Sequence, residues 1–146
     1  MKTAIIIPAR YASTRFPGKP LAKIAGKTML ERVVEVAQEA AKKFPDISVI
    51  VTTEDERIAD HAAQIGVECI MTSEDCPTGS DRVLKAVRKS GQNFDFIINL
   101  QGDAPFTSAE TIIALIKAFE KNKTHEVITP IRQLTWQELD ILRDNK

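Results

Sequence analysis

The sequence predicts an α/β fold in which a mainly parallel sheet is covered by helices on both faces. Residues 4–8 (AIIIP) form a continuous apolar run, as expected of a strand that is buried on both sides. Strand-like and helix-like segments then alternate with short connections, which is typical of βαβ units. The 146 residues, of which 43% are hydrophobic, suffice for one domain with a substantial core.

Apolar spacing and capping patterns define the individual elements. Three S/T-x-x-E capping boxes mark predicted helix starts: Thr28 with Glu31, Thr107 with Glu110, and Thr135 with Glu138. The predicted strands are residues 4–8, 47–53, 67–71, 95–101 and 126–130. The predicted helices are residues 28–44, 55–66, 80–91, 111–121 and 136–144.

Composition narrows the classes of ligand. The chain has 20 basic and 20 acidic residues, and a net charge of zero argues against a nucleic-acid partner. No apolar run reaches membrane-spanning length and no signal peptide is present, so we expect a cytoplasmic protein without a membrane partner. Cys69 and Cys76 lack metal-ligand spacing and are expected to be reduced thiols. Residues 1–30 contain six basic residues and no acidic one, which suggests a small anionic ligand. Composition by itself still favours the alternative of an ordinary solvated surface.

The loop after the first predicted strand carries much of this charge. Residues 8–20 (PARYASTRFPGKP) match neither a dinucleotide fingerprint nor a Walker loop. Small residues would let backbone N–H groups approach an anion, and Arg10, Arg15 and Lys19 supply positive charge. Two prolines stiffen the loop and reduce the entropy lost on binding. The pattern indicates phosphate binding, with an ordinary surface loop as the alternative.

Two further segments follow predicted strands. In residues 99–106 (NLQGDAPF), Asp103 would face the cationic loop if the winding of the sheet reverses between the first and fourth strands. A carboxylate in that position is a natural Mg²⁺ ligand, although a simple turn aspartate is equally compatible. Residues 72–82 (TSEDCPTGSDR) bring hydroxyls and backbone N–H groups to a helix N-terminus, where they could read a base or ribose. Ser80 could instead be a plain N-cap.

Together these segments resemble the opening part of the 3-deoxy-manno-octulosonate (Kdo) cytidylyltransferase, or CMP-Kdo synthetase, family. The stretches IIIPARYASTRFPGKPLAKIAGKTML, TTEDERI, MTSEDCPTGSDR and INLQGDAPF occur in the family's order and spacing, and the resemblance covers residues 3 to 130. It implies a Rossmann-like three-layer α/β/α nucleotidyltransferase fold. It also implies the transfer of CMP from CTP to Kdo, with release of pyrophosphate, for lipopolysaccharide biosynthesis.

The resemblance also implies roles for individual residues. Arg10, Lys19 and Asp103 would be catalytic, and Asp103 would hold Mg²⁺ as the cofactor. The implied partners are CTP and a Kdo-like sugar acid, with a homodimer left open. The implied CTP-binding residues are Pro8, Ala9, Arg10, Ser13, Arg15, Lys19, Thr78, Gly79, Ser80, Arg82 and Gln101.

Two departures from the family leave alternatives open. The usual Q-G-D-E-P reads Q-G-D-A-P here, so that Ala104 replaces a carboxylate. Family members also continue well beyond this length, so residues 1–146 are expected to be a nucleotide-binding domain without the C-terminal sugar-binding and dimerisation half. The alternatives are a CTP-binding module without turnover, a cytidylyltransferase for another sugar acid (sialic-acid-like or 8-amino-Kdo), or a structural domain with a chance cationic loop.

Overall fold

The computed structural model describes residues 1–12 and 16–144. The strands are β1 Thr3–Pro8, β2 Lys23–Ile24, β3 Lys27–Thr28, β4 Ile47–Thr53, β5 Glu68–Met71 and β6 Phe96–Asn99. The helices are α1 Met29–Ala41, α2 Glu56–Gln64, α3 Gly79–Ser90, α4 Ala109–Lys121 and α5 Trp136–Asp144, with a 3₁₀ turn at Lys19–Leu21.

A four-stranded parallel sheet forms the centre of the fold, in the order β5-β4-β1-β6. Within β1, Ile5 is in register with Val49 on one side and Ile98 on the other. The chain passes from β1 to β4 and β5 in one direction and then places β6 on the opposite side of β1. The winding therefore reverses between β1 and β6, and the carboxyl ends of these strands are where ligands bind in open α/β sheets.

Helices cover both faces of the sheet, which confirms the predicted three-layer α/β/α architecture. Ile5 and Ile7 of β1 contribute to the larger core cluster, together with residues of α1, α2 and α4. The alternate residues Ala4 and Ile6 contribute to a smaller cluster, which Val83 of α3 joins. Burying an isoleucine side chain fully contributes roughly 1.5–3 kcal/mol, so β1 anchors both layers.

Two of the three predicted capping boxes form. The Thr28 hydroxyl accepts from the Glu31 backbone N–H at 3.0 Å, and the Glu31 carboxylate accepts in return from the Thr28 N–H. Thr135 and Glu138 form the equivalent pair of hydrogen bonds before α5. Local sequence is enough to fix these helix starts, because both partners lie within one turn.

The box predicted at Thr107 and Glu110 is wrong by one residue. The Thr107 N–H donates to the Ala104 carbonyl, which closes a turn before the helix. Ser108 is therefore the extended residue that precedes α4, and its hydroxyl accepts from the Thr111 N–H at 3.2 Å.

The strand predicted at residues 126–130 does not form. A strand needs a neighbouring backbone to satisfy its N–H and C=O groups. In the described part of the chain, this segment instead lies across a groove of about 660 Å³ from β6. Val127 is exposed, and α5 buries none of its side chains. The β-propensity of these residues is therefore not enough to form a strand, because no described strand pairs with them.

Two remaining expectations concern membranes and thiols. No helix in the described residues is both long and apolar enough to cross a bilayer. Cys69 and Cys76 are both free. Burial raises the pKa of the Cys69 thiol to about 11, so it is protonated at neutral pH.

Candidate functional site

A cavity of about 420 Å³ lies at the carboxyl ends of β1 and β6, where the winding of the sheet reverses. Three segments meet there: the loop after β1, the loop after β6 and the first turn of α3. The lining residues are Pro8, Ala9, Arg10, Phe16, Lys19, Pro20, Gly79, Gln101, Gly102 and Asp103.

Backbone contacts hold the loop after β1 in place. The Ala9 N–H donates to the Thr52 carbonyl at 2.9 Å, and the Gly18 N–H donates to the Tyr11 carbonyl at 2.9 Å. Gly18 has a φ of 71°, and a Cβ at this position would lie 3.1 Å from the Tyr11 ring. The positive φ therefore favours glycine here, and a Cβ would in addition crowd the Tyr11 ring. The resulting turn presents Lys19 at the cavity.

The loop after β6 packs backbone against backbone on the end of β1. A Cβ on Gly102 would lie 2.7 Å from the Pro8 carbonyl oxygen, so only glycine fits without a shift of the main chain. The Ala104 N–H donates to the Gln101 carbonyl at 3.1 Å and closes the following turn. This turn places Asp103 at the cavity mouth.

Lys19 and Asp103, which are 84 positions apart, form an ion pair with 2.8 Å between Nζ and Oδ2. The expected approach of Asp103 to the cationic loop is therefore present in the structure. The two side chains are 36% and 59% exposed, and an ion pair of this exposure contributes at most about 1 kcal/mol. Breaking this ion pair therefore costs little free energy, so Lys19 and Asp103 can each bind a ligand instead.

Arg10 connects the cavity to the loop 72–78. Its Nη2 donates to the Cys76 carbonyl at 2.6 Å, while Cys76 itself is buried. A guanidinium has five N–H donors, so this bond leaves donors for an anion. Arg10 and Lys19 together make this end of the cavity cationic.

The first turn of α3 is capped by Thr78, not by Ser80. The Thr78 hydroxyl accepts from the Asp81 N–H at 3.1 Å, and the Asp81 carboxylate accepts in return from the Thr78 N–H at 3.0 Å. Ser80 is thereby free for another role. Its hydroxyl accepts from Asn99 Nδ2 at 3.1 Å, and Asn99 Oδ1 accepts from Gln101 Nε2 at 2.8 Å.

The carboxylates of Asp75, in the loop 72–78, and of Asp81, in the first turn of α3, are held in the ionised form. The hydroxyl and then the backbone N–H of Thr78 lower the pKa of Asp81. The Lys85 ammonium and then the Ser73 hydroxyl lower the pKa of Asp75. A lowered folded-state pKa stabilises the fold above the pKa of the unfolded chain, and this contribution is lost as the pH falls through the folded value. The cap and the loop are thus intact at neutral pH and weaken only in acid.

The cavity brings together most of the residues predicted to act on the ligand: Pro8, Ala9, Arg10, Lys19, Gly79, Gln101 and Asp103. Thr78 and Ser80 lie beside it in the first turn of α3. Ser13 and Arg15 lie outside the described residues. The structure does not bring Arg82 to the cavity, because its side chain is 1% exposed and is paired with Glu54.

Sequence reasoning missed Phe16, Pro20, Asn99 and Glu54. Phe16 and Pro20 belong to the loop that its charge identifies, but nothing in the pattern shows which way an apolar loop residue faces. Asn99 carried a usable signal, since it is a polar residue at the end of an apolar strand. Glu54 carried none, because a carboxylate after a strand is common.

A divalent cation would find few protein ligands here. Among residues 1–12 and 16–144, no cluster of three or more His, Cys, Asp or Glu side chains could hold a metal. Asp103 is the carboxylate that lines the cavity. This donor set fits Mg²⁺, which commonly takes one or two carboxylates and completes its shell with substrate phosphates and water.

Comparison with known proteins assigns this chain to a family. A family model described as cytidylyltransferase matches residues 4–145. The chain belongs to the cytidylyltransferase family. This cytidylyltransferase-family chain is 40% identical over 141 residues to the 3-deoxy-manno-octulosonate cytidylyltransferase of Chlamydia trachomatis serovar L2, covering 97% of this chain and 54% of that protein. It is 44% identical over 130 residues to the protein of the same name from Maricaulis maris, covering 89% and 49%.

Solved structures agree with this assignment to the cytidylyltransferase family. The CMP:2-keto-3-deoxy-manno-octonic acid synthetase complexed with CTP has a TM-score of 0.75 and 35% identity, covering 85% of this chain and 49% of that one. A cytidylyltransferase from Leptospira borgpetersenii has a TM-score of 0.69 and 27% identity, covering 85% and 51%. The chain spans about half the length of the curated relatives it matches.

Proposed function

We propose that this chain binds CTP in the cavity between β1 and β6 and takes part in the transfer of CMP to Kdo, releasing pyrophosphate and giving CMP-Kdo for lipopolysaccharide biosynthesis. The observation that carries the proposal is the meeting of Arg10, Lys19 and Asp103 at the point where the sheet reverses its winding. The names of the similar proteins, and the complex of one similar solved structure with CTP, support the choice of nucleotide.

The reaction requires charge neutralisation and alignment rather than a covalent nucleophile. A hydroxyl oxygen of the sugar acid attacks the α-phosphorus of CTP and forms a new O–P bond, while the hydroxyl proton passes to solvent. The bond between the α-phosphorus and the bridging oxygen breaks, and pyrophosphate leaves with that oxygen. Arg10 and Lys19 are placed to offset the charge on the triphosphate and to hold it in line.

We propose Mg²⁺ as the cofactor and Asp103 as its protein ligand. When bound, the ion would neutralise phosphate charge and polarise a phosphoryl oxygen. Asp103 is mostly exposed and is engaged only by Lys19, an exchangeable partner among the described contacts. On binding, Lys19 would turn to the phosphates and Asp103 to the cation.

The remaining parts of the proposal lie beyond the cavity. We infer that the sugar acid and a second copy of the protein bind mainly to the C-terminal half of the longer relatives. This chain does not span that half. We therefore propose residues 1–146 as the nucleotide-binding domain. A cytoplasmic location stays a prediction, and it suits a substrate that is a nucleoside triphosphate.

Calorimetry with CTP and Mg²⁺ tests the proposed function, with UTP and GTP as controls. We expect saturable binding of CTP in preference to UTP. Kdo is then added and pyrophosphate release is measured. Release supports the full reaction, whereas CTP binding without release selects the alternative of a binding module without turnover. No binding of any nucleoside triphosphate would overturn the proposal and favour a structural domain.

The exchange of Asp103 for Asn should abolish most of the response to metal. Asn keeps the shape and the turn preference of Asp but removes the charge that attracts the cation. We expect the gain in CTP affinity on adding millimolar Mg²⁺ to shrink sharply, with little change in stability, because the ion pair lost with Lys19 is exposed.

A thermal-shift titration with CTP, with and without Mg²⁺, measures this effect. Asp60→Asn is the matched control, since Asp60 is an exposed carboxylate on α2 away from the cavity. An undiminished Mg²⁺ response in Asp103→Asn would show that Asp103 is only a turn residue.

The exchange of Ser80 for Ala should relax the choice of base. Phosphate contacts carry no base information, so discrimination between CTP and UTP has to come from the polar row of Ser80, Asn99 and Gln101. We expect the ratio of the two affinities to fall in Ser80→Ala by about fivefold, the equivalent of one neutral hydrogen bond. Competition binding measures this ratio. An equal loss for both nucleotides would place base recognition elsewhere.

A further inference from the structure

A buried ion pair lies beneath the loop 72–78, outside the cavity. Arg82 Nη2 lies 2.8 Å from Glu54 Oε2, and the two side chains are 1% and 11% exposed. Arg82 is the largest fully buried residue in the described part of the chain. A charge pair is rarely removed from water without a specific reason, because its desolvation offsets much of its attraction.

The arginine joins three elements at their ends. Its Nη1 donates to Thr72 Oγ1 at 2.7 Å, and Thr72 follows β5 directly. Glu54 follows β4, and the backbone N–H of Thr72 donates to the carbonyl of Thr53, the last residue of β4, at 2.8 Å. Arg82 itself lies in the first turn of α3. One guanidinium therefore fixes the carboxyl ends of β4 and β5 relative to the start of α3.

The loop between these anchors reaches the cavity. Its first residue, Thr72, is held by Arg82, and its last residue, Thr78, is held by the capping box of α3. Between them, the buried Cys76 turns its carbonyl to Arg10, which donates to it at 2.6 Å. A displacement at Thr72 would be transmitted along the loop to the group that holds Arg10.

Stability alone is a poor explanation for this pair. Arg82 Nε is buried and has no hydrogen-bond partner among the described residues. Buried ion pairs can often be replaced by apolar residues without loss of stability, and an incompletely satisfied one is still weaker as a stabilising device. Direct contact with a ligand is equally excluded in this conformation, because the side chain has almost no exposed surface.

We propose that Glu54 and Arg82 are positioning residues that fix the loop 72–78 and, through the Cys76 carbonyl, hold Arg10 in place at the cavity. The affinity part of this proposal rests on the proposed binding of CTP. The loop part does not, since it concerns the order of residues 72–78 in the protein without ligand.

The double variant Glu54→Leu with Arg82→Met separates positioning from stability. Both charges are removed together, so no unpaired charge stays buried, and we expect a melting temperature close to that of the parent. The amides of residues 72–78 should exchange with deuterium faster than in the parent. Affinity for Mg²⁺ and CTP should fall by about tenfold, a loss typical of coupled neighbouring groups. Arg88→Met, an exposed cation of the same helix, is the matched control.

Thr72→Val covers the case in which the double variant fails to fold. It leaves the ion pair of Glu54 and Arg82 in place and removes the hydroxyl that accepts from the guanidinium. The same hydroxyl also donates to the Thr53 carbonyl and contacts the Thr52 hydroxyl, both at 3.3 Å, so the variant loosens the start of the loop at all three contacts. We expect faster exchange in the loop and a weaker affinity for CTP, in the same direction as for the double variant. Thr72→Ser keeps the hydroxyl and should restore both readouts to the parental values, which a loss of packing alone would not explain.

Two outcomes would overturn the proposal. One is parental exchange of residues 72–78 in the folded double variant, or in Thr72→Val if the double variant does not fold. The other is faster exchange with an unchanged CTP affinity, because the loop would then not position the site. If the parent binds no CTP, the proposed function fails, and the exchange rates still decide whether Glu54 and Arg82 order the loop.

Discussion

Lys19→Ala is expected to weaken the binding of CTP with Mg²⁺ by about tenfold to a hundredfold. One charge-assisted contact with a phosphate is lost, which is worth roughly 1.5–3 kcal/mol. The structure supports this contact, because Lys19 lines the cavity and its ammonium group, among the described contacts, is engaged only in an exposed pair with Asp103. The free energy of unfolding should change by less than about 1 kcal/mol for the same reason.

Isothermal titration calorimetry and chemical denaturation test both halves of this expectation. Lys23→Ala is the matched control, since Lys23 is exposed on β2 and does not line the cavity. The Mg²⁺ response separates the two members of the pair: it should persist in Lys19→Ala and shrink sharply in Asp103→Asn. A CTP affinity within twofold of the parent would rule out the phosphate role of Lys19.

Gly102→Ala is expected to cause a large loss of stability for a single methyl group. The added methyl group would lie 2.7 Å from the Pro8 carbonyl oxygen. This oxygen belongs to the backbone at the end of β1, so no side-chain rotation can relieve the contact. Overpacking of this kind costs about 1–3 kcal/mol. The shift would also separate the loops after β1 and β6, and CTP affinity should fall with it.

Gly79→Ala is the control for this prediction. The nearest atoms to its added methyl group belong to the side chains of Gln101, at 3.3 Å, and Pro8, at 3.4 Å. The amide end of Gln101 can move, and alanine suits the first residue of α3. Urea denaturation should therefore show a lower midpoint for Gly102→Ala than for Gly79→Ala. Equal midpoints would mean that the two loops yield easily at Gly102.

Long-range arrangement was predictable where a topological rule applies. Lys19 and Asp103 are 84 positions apart, yet their approach was expected on the condition that the winding of the sheet reverses between the first and fourth predicted strands. The carboxyl ends of parallel strands meet at one edge of a sheet, and the reversal of winding opens a crevice there. The residues that complete the cavity, such as Phe16, were not predictable, because loop side chains have no periodicity.

The sequence by itself determined the elements whose interactions are local. The apolar run of β1 requires burial on both faces, and the caps at Thr28 and Thr135 need only partners within one helical turn. The α/β class follows from the alternation of such elements, and so does the position of the cationic loop after the first strand.

Only the tertiary structure decided the features that depend on distant partners. The apolar segment 126–130 has the composition of a strand, but no neighbouring backbone pairs with it in the described residues. Arg82 has the sequence context of a ligand contact, yet Glu54 and Thr72 are brought to it from two other loops and bury it. In both cases the outcome is set by what lies opposite in space, because hydrogen bonds and charges are satisfied by neighbours that one segment of sequence does not contain.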